Sequence, residues 1–290
     1  MMESSSFTVK ELERGLLTDM YLTFLDSFSD YEIPFRLAKD QFVKKFVEKL
    51  KIDFDLSAGV FDTSQGLAGF VFTTINEYNG LKTAYNGGTG VRPRYRGHKL
   101  VSVMYDFLIP KFIQAGVKQC ILEVLVNNTK AIGVYKNIGF TTTTRYKCFK
   151  LEPHYKFAEL PRDYLIRKVT SPDWACYGRF MDAKTSFLDS KPMIDQNLAN
   201  ETVVEVHFNF ECVGYAIYQP ALGRISQIAI DPAHRGKGVG KGLVHYLVQT
   251  SKNKALTIMN VAAQYKDLTQ FFEHVGFKNQ LDQYEMMLGL

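Results

Sequence analysis

The chain has 290 residues, 46% hydrophobic and 22% charged, with four cysteines, a composition that fits a globular protein and excludes disordered, collagen-like and coiled-coil architectures. Its 35 Lys and Arg against 30 Asp and Glu give a net charge of +5, too mild to imply nucleic acid but compatible with a small anionic ligand. The length suits two ordinary domains or one large one.

Residues 1–6 lack a basic start followed by an apolar stretch, so no secretory signal is expected. No apolar run reaches the ~18 residues of a spanning helix, and a cytoplasmic protein without membrane contact is expected. An acidic, aromatic region predicts helices over 9–28 and 39–50, followed by strands at 57–61, 66–76 and 82–91. Leu100, Val103, Met104, Phe107 and Leu108 repeat at helical spacing and give one apolar face. Residues 119–126 read as a buried strand, and 129–138 as a helix ended by Gly139. Pro153 and Pro161 bracket a stretch without periodicity, read as a linker over 153–162 between domains 1–152 and 163–290. The second half gives strands at 211–218 and 224–230, a helix over 238–250, a strand at 255–261, a helix over 266–275 and a closing strand near 284–288. The fold class is α/β, with a mixed sheet and helices on both faces in each half.

The two halves are similar to each other. The stretch around Gly69 recurs around Gly214, the stretch around Arg96 around Arg235, and the one ending in Gly139-Phe140 as that ending in Gly276-Phe277. The order is kept while the spacing between counterparts shrinks, as loop deletions in a second copy would produce.

The most informative stretch is His234-Arg235-Gly236-Lys237-Gly238-Val239-Gly240-Lys241-Gly242, between a strand and a helix. It does not match the dinucleotide GxGxxG pattern, whose third glycine would fall on Lys241 or Leu243, or the phosphate-binding GxxxxGK[ST] loop, where position 241 is again lysine. What remains is Arg-x-x-Gly-x-Gly at a helix start. There glycine permits close backbone approach, unpaired amides point outward and the helix dipole favours negative charge, which together suit a pyrophosphate. Arg235, Lys237 and Lys241 add positive charge around it. A turn that merely starts a helix is the alternative.

Strand, proline, Arg-x-x-Gly-x-Gly, helix and strand, followed by Asn128-Thr129-Lys130-Ala131 and Tyr135-Lys136-Asn137-Ile138-Gly139-Phe140, resemble the GNAT superfamily of acyl-CoA-dependent N-acyltransferases, present here as a tandem duplication over nearly the whole chain. The resemblance implies a sheet splayed between its fourth and fifth strands, with acetyl-CoA as co-substrate in the gap and no metal. It implies acyl-CoA contacts at Val91, Arg96, Gly97, His98, Lys99, Leu100, Val101 and Asn128 in the first half. In the second half they fall at Ile230, Arg235, Gly236, Lys237, Gly238, Val239 and Gly240. Tyr135 stands where the family has the tyrosine that protonates the departing thiolate. A packed aromatic is its alternative role.

The second half has Phe272 at that place, which cannot donate a proton, and Tyr265 where the first half has Asn128. The first half keeps the tyrosine but carries Lys99 and Val101 where the family pattern has small residues. The first half is therefore expected to be catalytic, acetylating a primary amine of a small molecule or peptide by direct attack. Glu123 and Glu32 are the candidates for proton acceptor or substrate recognition. A CoA-binding module without turnover, or another acyl group or acceptor, remains open, as does a homodimer. The cationic cluster Arg92, Arg94, Arg96 and Lys99 is too short to argue for nucleic acid. Cys120, Cys148, Cys176 and Cys212 show no CxxC or metal-ligand spacing and read as buried thiols, and His154, His207, His245 and His274 show no triad or metal spacing.

Overall fold

Thr8 and Lys10 are exposed while Phe7, Val9 and Glu11 are half-buried, the two-residue period of a strand, and Phe7–Glu11 forms β1. This corrects the helix expected from residue 9, since α1 (Leu17–Ser27) starts later. The structure, a computed structural model, describes residues 7–30, 37–63, 66–155, 158–252 and 254–290. Two compact units emerge, Met1–Thr143 with Glu285–Leu290, and Thr144–Tyr284. The division is not the contiguous one expected at 152, because residues 144–152 belong to the second unit and 285–290 to the first.

In the first unit α1 is followed by α2 (Lys39–Phe42), a π-helical turn (Val43–Lys49), and strands β2 (Ala58–Asp62), β3 (Gly66–Tyr78) and β4 (Leu81–Val91). Then come α3 (Leu100–Gln114), β5 (Gln119–Leu125), α4 (Thr129–Ile138) and the start of β6 (Thr141–Leu151). Strands β1 to β4 pair antiparallel in chain order, and β5 lies parallel to β4. Phe24, Phe42, Phe46, Phe70 and Phe72 pack as one aromatic cluster between the helical region and β3. Ring pairs of this kind add about 0.5–1.5 kcal/mol each beyond simple burial. The buried stripe of α3 is Leu100, Met104, Tyr105, Leu108 and Phe112, whereas Val103, expected in it, is 41% exposed. Thr141 and Thr143 donate to the carbonyls of Met287 and Glu285, which ties the chain's last residues into this unit.

The second unit takes the rest of β6, then β7 (Tyr164–Val169), α5 (Trp174–Tyr177), α6 (Lys191–Gln196), β8 (Thr202–Phe208), β9 (Glu211–Gln219) and β10 (Arg224–Ile230). It continues with α7 (Val239–Thr250), β11 (Thr257–Ala262), α8 (Lys266–His274) and most of β12 (Phe277–Gly289), a strand that starts well before the expected 284. Here β7 to β10 are antiparallel, β11 is parallel to β10, and β6 runs antiparallel to β11. One face is covered by Val239, Leu243 and Leu247 of α7 with Phe272 of α8; on another core cluster Tyr177 stacks on Tyr215 at 3.9 Å.

The duplication is visible in register. Gly69 lies opposite Val91, and Gly214 opposite Ile230. A Cβ on Gly69 would fall 2.8 Å from the Gly90 carbonyl oxygen, and one on Gly214 3.1 Å from the Ala229 carbonyl oxygen, so close backbone approach favours glycine at both. Beyond each strand the same backbone bond recurs: Arg92 N–H donates to Ala68 O at 2.9 Å and Asp231 N–H to Val213 O at 2.8 Å.

Each sheet also parts at the same place. Pairing of β4 with β5 ends at Asn86 and Leu122, although β4 runs on to Val91 and β5 to Leu125. Pairing of β10 with β11 ends at Ile225 and Ile258, although these strands continue to Ile230 and Ala262. A bulge marks each departure, with Gly87 the extra residue in β4 and Ser226 in β10. Bulges bend and twist the strand that carries them, which is what opens a gap between parallel neighbours.

Candidate active site

The loop from each parting strand to the next helix is held by one arginine. Arg96 donates from Nε to Val91 O at 3.3 Å and from Nη2 to Ser27 O at 2.9 Å, and forms a two-pronged ion pair with Asp30 at 2.5 and 2.9 Å. Arg235 repeats every contact: Nε to Ile230 O at 2.8 Å, Nη2 to Phe180 O at 3.0 Å, and both prongs to Asp182. The hydrogen bond from Arg96 holds the Asp30 carboxyl below the usual carboxylate range. Both arginines, expected among the ligand-binding charges, thus fix the strand end against the preceding helical region. Sequence reading missed Asp30 and Asp182 as their partners.

Two residues of each loop take the left-handed conformation. Gly97 and Gly236 have φ of 87° and 72°, and Lys99 and Gly238, directly before their helices, have φ of 55° and 84°. This turn leads into α3 and α7, whose first-turn amides lack acceptors within their own helices. His98, Lys99, Lys237 and Gly238 are exposed beside these amides, while Leu100 and Val239 anchor the helices in the cores. Val101 and Gly240 occupy equivalent first-turn places. A Cβ on Gly240 would lie 3.0 Å from the Phe271 ring, so this glycine serves helix packing and not only ligand approach.

In the first unit one expected side chain stands at the parting of β4 and β5. Glu123, the first β5 residue past the pairing with β4, accepts a hydrogen bond from Tyr85 of β4, a partner no sequence signal suggested. Asn128 caps α4, accepting from the Ala131 N–H at 3.2 Å. Tyr135 follows on that helix, 8% exposed, edge-on to Tyr105 at 6.4 Å and Phe140 at 5.7 Å. Behind them Tyr105 is fully buried and accepts from Asn86 Nδ2 at 2.8 Å, and burial pushes the Cys120 thiol up to about 12. Glu32 lies outside the described residues.

In the second unit a cavity of about 590 Å³ occupies the gap between β10 and β11, lined among others by Ser226, Ile230, Gly236, Gly240, Tyr265 and Phe272. Phe272, at the place of Tyr135, is fully buried against Phe149 and Phe277. Tyr265 precedes α8 without a side-chain cap, and its hydroxyl accepts from the Lys184 N–H at 3.2 Å. Outward amides at a helix start, cationic neighbours and an open gap between parallel strands are the features a nucleotide-bearing thioester needs.

Family models match both halves: residues 21–140 fit the acetyltransferase (GNAT) family, and residues 199–279 the acetyltransferase (GNAT) domain. The chain belongs to the GNAT acetyltransferases. It is a tandem two-domain GNAT protein, and the tandem GNAT protein from the clavulanic acid biosynthesis pathway shares its fold, with a TM-score of 0.67 over 98% of both chains at 11% identity. Among curated proteins, this GNAT chain is 29% identical over 79 residues to N-alpha-acetyltransferase 30 of Dictyostelium discoideum, covering 27% of this chain and 43% of the relative. It is 34% identical over 58 residues to glucosamine 6-phosphate N-acetyltransferase of Trypanosoma brucei brucei, covering 20% and 39%. The chain thus spans less than half the length of these relatives. No helix of the described residues is long and apolar enough to cross a membrane.

Proposed function

We propose that this GNAT protein moves the acetyl group of acetyl-CoA to a primary amine, of a small molecule or a peptide, by direct attack in the first unit. The observation that supports the reading is Glu123, held by Tyr85 just past the last β4–β5 pair, followed in the chain by the Asn128-capped helix that carries Tyr135. The names of the curated relatives, an N-alpha-acetyltransferase and a glucosamine 6-phosphate N-acetyltransferase, support an amine acceptor.

The first-turn amides of α3 hold the pyrophosphate, with Lys99 adding charge. Glu123 takes a proton from the substrate ammonium, because only the neutral amine has a lone pair. The amine nitrogen then bonds to the thioester carbon, and a backbone N–H near the end of β4 stabilises the oxyanion, a contribution of roughly 3 kcal/mol in comparable acyl transfers. As the intermediate collapses the C–S bond breaks, the Tyr135 hydroxyl protonates the departing thiolate, and the proton shed by the amide nitrogen returns the tyrosinate to its neutral form.

The second unit is assigned acyl-CoA binding without turnover, since Phe272 has no proton to give. The cavity favours a second reading, in which that unit also turns over and the Tyr265 hydroxyl is the donor. Mass spectrometry of the purified protein for co-bound CoA, followed by thiol release with a panel of amines, tests the proposal. Amine-dependent release supports it, and CoA binding with no release across the panel leaves a non-catalytic CoA-binding module.

A further inference from the structure

The hairpin of β8 and β9 gathers three side chains of metal-ligating type away from the β10–β11 gap. Asn209 and Phe210 turn the chain with positive φ at both positions, 47° and 66°, the tight turn that fixes a two-residue hairpin. The register then sets His207 opposite Cys212, with Val213 bulged, and alternation puts Glu205 on the same face as His207. Ligand atoms of Glu205, His207 and Cys212 all lie within 4.8 Å of one another.

The surroundings orient these atoms. His207 meets an acceptor at each ring nitrogen: Phe210 O at 3.3 Å from Nδ1 and Glu205 Oε2 at 2.8 Å from Nε2. A neutral imidazole has a single N–H and serves one of them, whereas a cation at Nε2 leaves Nδ1–H for the carbonyl and neutralises the carboxylate. The other Glu205 oxygen accepts from the Tyr177 hydroxyl at 2.7 Å. Side chains of His207 and Glu205 are 13% and 12% exposed, shielded yet reachable. The Cys176 thiol, carried by α5, interacts with that of Cys212, and it also accepts from the exposed Arg179 at 3.3 Å.

We propose that Glu205, His207 and Cys212 bind a zinc ion, with Cys176 turning in as the fourth ligand. Thiolate, imidazole and carboxylate are the donor set of tetrahedral zinc, and the softer sulfur ligands disfavour magnesium or calcium. This departs from the expectation of four buried thiols and no metal: Cys176 and Cys212 are only half-buried. The sequence concealed the site because its ligands come from one helix and two strands.

The test uses the full chain, kept reduced, stripped with a chelator and titrated with Co²⁺. A thiolate-to-cobalt charge-transfer band should saturate at one equivalent per chain and vanish when Zn²⁺ is added, and Zn²⁺ should raise the unfolding temperature. In Cys212→Ser and His207→Ala the affinity for Co²⁺ should fall at least tenfold, and in the double variant Cys176→Ser/Cys212→Ser the band should be lost, while far-ultraviolet circular dichroism is unchanged. Cys176→Ser should weaken the band, and Tyr177→Phe should lower Co²⁺ affinity about tenfold by releasing Glu205. No band in the folded wild-type protein, an unchanged Co²⁺ affinity in Cys212→Ser or His207→Ala, or a band that persists in the double variant overturns the site; an unchanged band in Cys176→Ser removes Cys176 from it.

Discussion

Lys99 and Gly238 hold the same backbone conformation at equivalent places, each in the left-handed region immediately before its helix. For a residue with a Cβ this conformation costs about 1–2 kcal/mol, whereas glycine loses about 0.5–1 kcal/mol through its more flexible unfolded state. Lys99→Gly should therefore raise the stability of the protein to denaturant by about 0.5–1 kcal/mol. Because backbone amides carry the phosphate contacts in this account, the KM for acetyl-CoA should rise by less than about tenfold. Loss of stability in that variant would show that the lysine side chain, not the backbone, sets the turn.

Gly242 offers a case in which helix propensity and packing disagree. Propensity alone would make Gly242→Ala stabilising by about 1 kcal/mol in the interior of α7. A Cβ there would sit 2.6 Å from the Leu160 Cα, a backbone atom that cannot rotate aside. Overpacking costs about 1–3 kcal/mol, so the variant should unfold at lower denaturant than the wild type. A higher midpoint would show that the 159–160 segment yields.

Arg224 compensates buried acid in the second unit. Its guanidinium is 2.6 Å from Asp189, whose side chain is only 4% exposed, and burial raises the carboxyls of both Asp189 and Glu201 above their usual values. Removing one partner of such a pair costs about 3–5 kcal/mol, so Arg224→Met should be strongly destabilised at neutral pH. A carboxyl with a raised folded pKa binds its proton more tightly when folded, so it adds stability as pH falls through that pKa and loses it as pH rises. The deficit of Arg224→Met should therefore shrink between neutral pH and about pH 5 in urea unfolding. Equal destabilisation at both pH values would mean that the carboxylates are not the source.

The repeat was legible because it rests on local signals, whereas the gap was expected only from the family resemblance. Gly69 and Gly214 mark close strand approach, Asn128 caps a helix three residues ahead of its acceptor, and Gly139 ends that helix at φ 112°. What sequence could not supply is long-range. Asp30 and Asp182 reach Arg96 and Arg235 from elements far away in the chain, and Tyr85 meets Glu123 only because β4 and β5 are parallel neighbours. Strand β1 was absorbed into the helix after it, since five residues of alternation are a weak signal beside eleven of helix. Residues 285–290 join the first unit through pairing that no local pattern encodes.

The central claim is that Tyr135 protonates the departing thiolate in the first unit, and its most direct test is the turnover of Tyr135→Phe, read as CoA thiol release with an accepted amine. The ring still packs against Tyr105 and Phe140, so the fold and the KM for acetyl-CoA should be nearly unchanged. Loss of a general acid should lower kcat by about a hundredfold or more. A kcat equal to that of the wild type would contradict the account and move the chemistry to the second unit, where the Tyr265 hydroxyl lines the cavity.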